Sequence, residues 1–177
     1  MSPWLALLPG LCLGTPAPPL PYTGAFRALE AHALTRPDSL TDVTVGLEAR
    51  AATVLSLVDL DLGWAWVDVG PARVHQATAG ARLHPFALWL LHGPAWADLL
   101  ASVYVRAAVG PRFGADVGGV WVLGAGFDWP LGEPDHGAGL WIGPRYRHML
   151  PFGPVSGVEG ATQATVGLAL SYRLNGL

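Results

Sequence analysis

The chain has 177 residues, 13% of them charged and 51% hydrophobic, whereas a typical soluble domain carries roughly 25% charge. That length supports one domain with a sizeable core. All ten basic residues are arginine, thirteen are acidic and the net charge is -3, so nothing points to nucleic acid or to a strongly acidic substrate.

Residues 1–23 read as a secretory leader, and residues 24–177 as one domain. The leader is apolar from Trp4 to Leu13 and then small and proline-rich around Ala17, which fits a signal segment although no basic residue precedes the apolar run. The single cysteine, Cys12, lies in it, leaving neither a disulfide framework nor a cysteine metal site. Leu11 stands before Cys12 where a lipid-anchor signal carries a small residue, which argues against lipidation. In the body of the chain the richest apolar stretch, "PFALWLLHGPAWADLLASVYVRAAV", is broken by His92, Pro94, Asp98 and Arg106. No run of about 18 apolar residues remains to make a spanning helix.

From Ala25 onward, period-two alternation punctuated by turn residues predicts eight strands. They run about Ala25–Leu34, Leu40–Arg50, Leu55–Asp68, Arg73–Leu88, Leu99–Val109, Ala115–Trp129, Gly137–His148 and Thr162–Leu174. Regular recurrence of short strands marks an all-β sandwich or barrel. The link "WLLHGPAWADLL" between the fourth and fifth is longer and more apolar than a tight turn needs, and suits either a short helix or an extended hairpin.

One face of these strands is apolar throughout, as in Val58, Leu60, Leu62, Trp64 and Trp66 of the third. The other carries Glu48, Arg50, Asp59, Asp61, Arg82, Arg106, Asp116, Asp128, Arg145, Arg147 and Arg173, interleaved with glycines such as Gly46, Gly63, Gly80, Gly124 and Gly126. Glycine weakens a solvent-facing strand but makes room inside a narrow eight-stranded barrel. Acids and arginines are nearly balanced there, which suits an enclosed space where charges must be paired. These eleven residues are therefore expected to form a structural charge network in a lumen. Trp64, Trp66, Trp121, Phe127, Trp129, Tyr146 and Tyr172 share the apolar face, several near strand ends, in the manner of aromatics at a lipid interface. Together these features predict an eight-stranded antiparallel up-and-down transmembrane β-barrel, greasy outside. The competing arrangement is a soluble, lipocalin-like barrel with the apolar face turned inward around a hydrophobic ligand.

At "FGADVGGVWVLGAGFDWPLG", "LWIGPRYRHM" and "TVGLALSYRL" the chain resembles small bacterial outer-membrane β-barrel proteins, the eight-stranded group that includes OmpA-like proteins and opacity-type porins. The resemblance covers roughly Val103 to Leu174. It implies a monomer in the bacterial outer membrane, surrounded by lipid and lipopolysaccharide, with both termini on the periplasmic side. The outer connections would then be about 35–39, 69–72, 110–114 and 149–161, and only the last is long. Leu174 stands where such proteins usually carry a terminal aromatic residue.

An enzyme of this architecture, modifying lipid A, would need a serine activated by a histidine and an acid. His32, Asp38 and Ser39 around the first outer loop, and His148, Ser156 and Glu159 at the last, supply those residue types without a motif. "GAGFDWPLG" lies inside an alternating strand and lacks the helix and third glycine of a dinucleotide loop. The six histidines show no metal-ligand spacing. The sequence thus predicts no catalytic residue, no cofactor and no metal, and a structural or scaffold role in the envelope.

Overall fold

Every extended segment leaves a row of backbone N–H and C=O groups on each edge, and these must find partners. In the computed structural model, which describes residues 26–52, 57–69, 72–86, 102–131, 139–153 and 162–175, the sheet meets that requirement by closing on itself. Its strands are β1 (Phe26–Arg36), β2 (Ser39–Ala52), β3 (Val58–Val69), β4 (Ala72–Leu83), β5 (Tyr104–Phe113), β6 (Val117–Gly126), β7 (Trp129–Pro130), β8 (Gly139–Phe152) and β9 (Gln163–Asn175). Strands β1 to β6 pair antiparallel in sequence order, β9 pairs with β1 and β8, and β6 pairs directly with β8. The two-residue β7 takes over pairing with β8 where β6 stops. The result is a closed antiparallel up-and-down barrel of eight long strands, as the alternation predicts.

Phe26 faces Asn175 in register, so β1 and β9 meet at one rim, called here the terminal rim. The opposite rim carries the connections between β1 and β2, β3 and β4, β5 and β6, and β8 and β9; it is the turn rim. Two of those connections are two residues long, 37–38 and 70–71, short enough for tight antiparallel hairpins.

Several strand limits differ from expectation; the stretch expected as one strand over Ala115–Trp129 is β6, ending at Gly126, followed by the short β7. β4 ends at Leu83, because His84–Phe86 turn away and Pro85 has no N–H for a ladder. β5 begins at Tyr104 and runs through Pro111 to Phe113, since Pro111 falls where the β4–β5 ladder skips from Gln76↔Arg112 to Ala79↔Val109. β8 continues to Phe152 before Gly153 turns the chain with φ of 88°, a conformation that glycine adopts readily. The stretch expected as a leader, most of the link between β4 and β5, and residues 154–161 lie outside the described residues.

Candidate functional site

Alternation sends every second side chain into the barrel, and the inward set divides into two layers. Near the terminal rim lie five carboxylates, Glu30, Glu48, Asp59, Asp61 and Asp128, and six guanidiniums, Arg50, Arg82, Arg106, Arg145, Arg147 and Arg173, all buried. A carboxylate accepts and a guanidinium donates, so each carboxylate can hold several arginines at once. Glu30 on β1 is the hub. Its two oxygens accept from Arg82 at 3.1 and 3.2 Å and from Arg145 at 3.0 and 3.2 Å, and Arg50 approaches to 3.3 Å.

Glu48 joins Arg82, Arg106 and Arg147, while Asp128 joins Arg50, Arg145 and Arg173. Asp61 takes Arg106 through both its oxygens, and Asp59 lies 3.2 Å from His84 and 3.6 Å from Arg50. Guanidiniums also lie over aromatic rings: Arg82 over Tyr104 at 4.5 Å and Arg173 over Trp141 at 3.9 Å, to ring centroids. His32 meets Arg147 at 3.0 Å; since a guanidinium only donates, the imidazole nitrogen facing it accepts.

Glycines create the space for these groups. A Cβ at Gly46 would stand 2.5 Å from His32 Nε2, and one at Gly63 would stand 2.9 Å from Glu48 Cγ.

Toward the turn rim the filling changes. Val67, Val74, Ala108, Val120, Val122 and Met149 form one buried apolar cluster, with Leu34 also buried. Gln76 reaches Met149 Sδ at 3.6 Å, and Arg112 is buried nearest that rim. Buried side chains fill both layers, apolar in one and paired by charge in the other.

The outer wall has the opposite chemistry. Leu29, Leu62, Leu47, Leu168 and Val105 are exposed, Leu29 and Leu62 by 69% and 66%. Trp64 stacks on Phe113, and His75 packs against Trp64 and Trp66, on the half toward the turn rim; Trp129 and Tyr172 lie near the terminal rim. Charged side chains on this wall, among the described residues, are confined to the rims. Arg27 stands at the terminal rim. Arg36, Asp38 and Asp42, the Asp68–Arg73 pair and Asp116 stand at the turn rim. At the exposed first turn, the Arg36 hydrogen bond and charge hold the Asp38 carboxyl below its ordinary range.

Ten of the eleven residues assigned to the lumen network from the sequence lie inside it; Asp116 does not. It is exposed in the bend Gly114–Asp116, because β6 starts one residue later at Val117 and the inward parity does not extend into the turn. The network also contains Glu30, His32 and His84, which the sequence reading left out. Of the aromatic set, Trp64, Trp66, Trp121, Trp129, Tyr146 and Tyr172 are exposed on the outer wall, and Phe127 is half-buried there.

The serine, histidine and acid candidates are not assembled. His32 faces Arg147 in the lumen, Asp38 pairs with Arg36, and the Ser39 hydroxyl meets Thr41 at 3.0 Å. His148 is half-buried on the outer wall, and Ser156 and Glu159 lie outside the described residues. Among the described residues no group of three or more His, Cys, Asp or Glu side chains is placed to hold a metal ion.

No protein-family model and no curated protein matches the chain. Solved structures similar to it include a de novo designed transmembrane β-barrel, TMB2.3, determined by solution NMR. The two share 15% identity over 86% of this chain and 96% of the design, with a TM-score of 0.48. Another, described as de novo design of transmembrane β-barrels, shares 13% identity over 85% of this chain and 96% of its own, with a TM-score of 0.46.

Proposed function

We propose that the chain is a monomeric barrel of the bacterial outer membrane, related to the small eight-stranded barrels it resembles, that serves a structural or scaffold role without catalysis. The observation supporting this reading is the inversion of the usual arrangement. Buried charge fills the interior, and the wall between the rims is apolar. A water-soluble protein rarely exposes an apolar patch above a few hundred Å², whereas a closed barrel with an apolar belt satisfies its backbone within lipid. The soluble alternative required the apolar face to point inward, and it points outward.

Two filled layers make a poor channel, because an eight-stranded barrel has just enough interior for its own side chains. The turn at 37–38 and the two-residue connection 70–71 are too short to offer much surface for an adhesin. Lipid, with lipopolysaccharide on the turn-rim side, is the expected surrounding, and no nucleic acid is involved.

The test is the mobility of the envelope-fraction protein on SDS gels, boiled and unboiled, together with conductance in planar bilayers. A heat-dependent mobility shift, detergent-dependent solubility and no channel steps are expected. A protein that stays dispersed without detergent and shows no shift would contradict the membrane reading.

A further inference from the structure

The outer wall is not uniformly bulky. Along β2, Ala49 and Ala51 face outward between Leu29 and Arg27 of β1 on one side and Leu62 and Leu60 of β3 on the other. The alanines lie low between these large residues, and the furrow of about 700 Å³ to which they belong reaches across to Tyr172 and Leu174 of β9 and to Ala79 of β4 near the terminal rim. Arg50 and Asp61 border it only through their backbone, since their side chains are buried in the lumen. By register the low path continues from Ala49 onto Ala31 and Ala33 of β1, which lie opposite Leu47 and Val45. Successive outward residues on a strand are about 7 Å apart, so the path runs roughly 20 Å, comparable with the roughly 15 Å of one leaflet's hydrocarbon.

Arg27 stands at the mouth of this furrow. It is exposed, it is the one charged side chain on the outer wall at the terminal rim among the described residues, and none of those residues pairs with it. The arginines near the turn rim differ: Arg36 and Arg73 each hold an aspartate. An exposed cation without a partner among the described residues, set where an apolar furrow meets the headgroup region, matches a ligand with an anionic head and an apolar tail, and arginine's planar fork suits phosphate oxygens.

We propose that this furrow holds one acyl chain of an anionic phospholipid from the leaflet at the terminal rim, with its phosphate on Arg27. The proposal rests on the outer wall facing lipid. It is tested by exposing the full chain, in mild detergent, to mixed vesicles of phosphatidylglycerol and phosphatidylcholine. Phosphatidylglycerol retained per barrel is then counted by native mass spectrometry.

The wild type should retain one phosphatidylglycerol. Arg27→Gln, which removes the charge, and Ala49→Leu with Ala51→Leu, which fills the furrow, should each lower retention by about tenfold, the equivalent of about 1.4 kcal/mol. Arg73→Gln at the opposite rim should leave it unchanged, and unboiled gel mobility confirms that each variant is folded. Undiminished retention in Arg27→Gln, or equal loss in Arg73→Gln, would overturn the site. So would a crosslinked dimer through Ala49 that excludes lipid. A folded, detergent-dependent barrel that holds no phospholipid would remove this site alone, whereas a protein soluble without detergent would remove the membrane reading beneath it.

Discussion

Toward the terminal rim the lumen is packed with five carboxylates and six guanidiniums, and toward the turn rim with Val67, Val74, Ala108, Val120, Val122 and Met149. Both fillings exclude solvent, but they fail differently. An apolar cluster loses stability in proportion to the atoms removed and the cavity left. A charged cluster loses it when a partner is removed, because the remaining ions stay buried without compensation. The comparison shows why balance matters in one layer and volume in the other.

Glu30→Ala should have the largest effect. It strips Arg50, Arg82 and Arg145 of a shared carboxylate, and breaking a buried pair costs about 3–5 kcal/mol. The unboiled, fast-migrating form should disappear at a markedly lower temperature. If the variant is as heat-resistant as the wild type, the charged layer does not hold the wall together.

Met149→Ala comes next, at about 2–5 kcal/mol for a fully buried methionine, read from the urea midpoint of detergent-solubilised protein. Val122→Ala should cost less, in keeping with the fewer atoms it removes. Because the charged layer remains filled beneath them, neither variant should conduct ions. Channel steps from Met149→Ala alone would show that only the apolar layer seals the barrel.

Gly46→Val should then cost about 1–3 kcal/mol by overpacking, since its Cβ would overlap the His32 ring. His32→Ala in the same chain should restore part of the loss; a purely backbone effect would leave it unrelieved. At the turn rim, Asp38→Asn should leave the heat-dependent mobility unchanged, because the Arg36–Asp38 pair is solvent-exposed. The Asp38 carboxyl is held below its ordinary range. What it adds is therefore present above the unfolded carboxylate value and fades as pH falls through the lowered folded value.

The barrel and the assignment of its faces were legible because most strands carry strong contrast between alternate positions. β3 shows this well, with Asp59 and Asp61 set against Leu60, Leu62 and Trp64. Glu30 was harder to see, since its outward neighbours in β1 include Ala31 and Ala33, which contrast weakly with a lumen face; its parity with His32 and Leu34 was the available signal. Asp116 was misplaced because parity continues on paper into a bend that lies beyond the last β5–β6 pair, Phe113↔Val117. The two-layer division was invisible in any single strand. Val67 and Asp61 share the inward face of β3, and only pairing with β2 and β4 shows that one sits among apolar groups and the other among arginines.

The central claim is that the apolar wall faces lipid and the charged wall faces inward, and tryptophan quenching by brominated lipids tests it most directly. Two single-tryptophan variants reconstituted in brominated vesicles would be compared, one keeping Trp121, exposed on the outer wall, and one keeping Trp141, buried under Arg173. Strong quenching of Trp121 with Trp141 protected is the predicted result. Equal quenching of both, or none of Trp121, would contradict it.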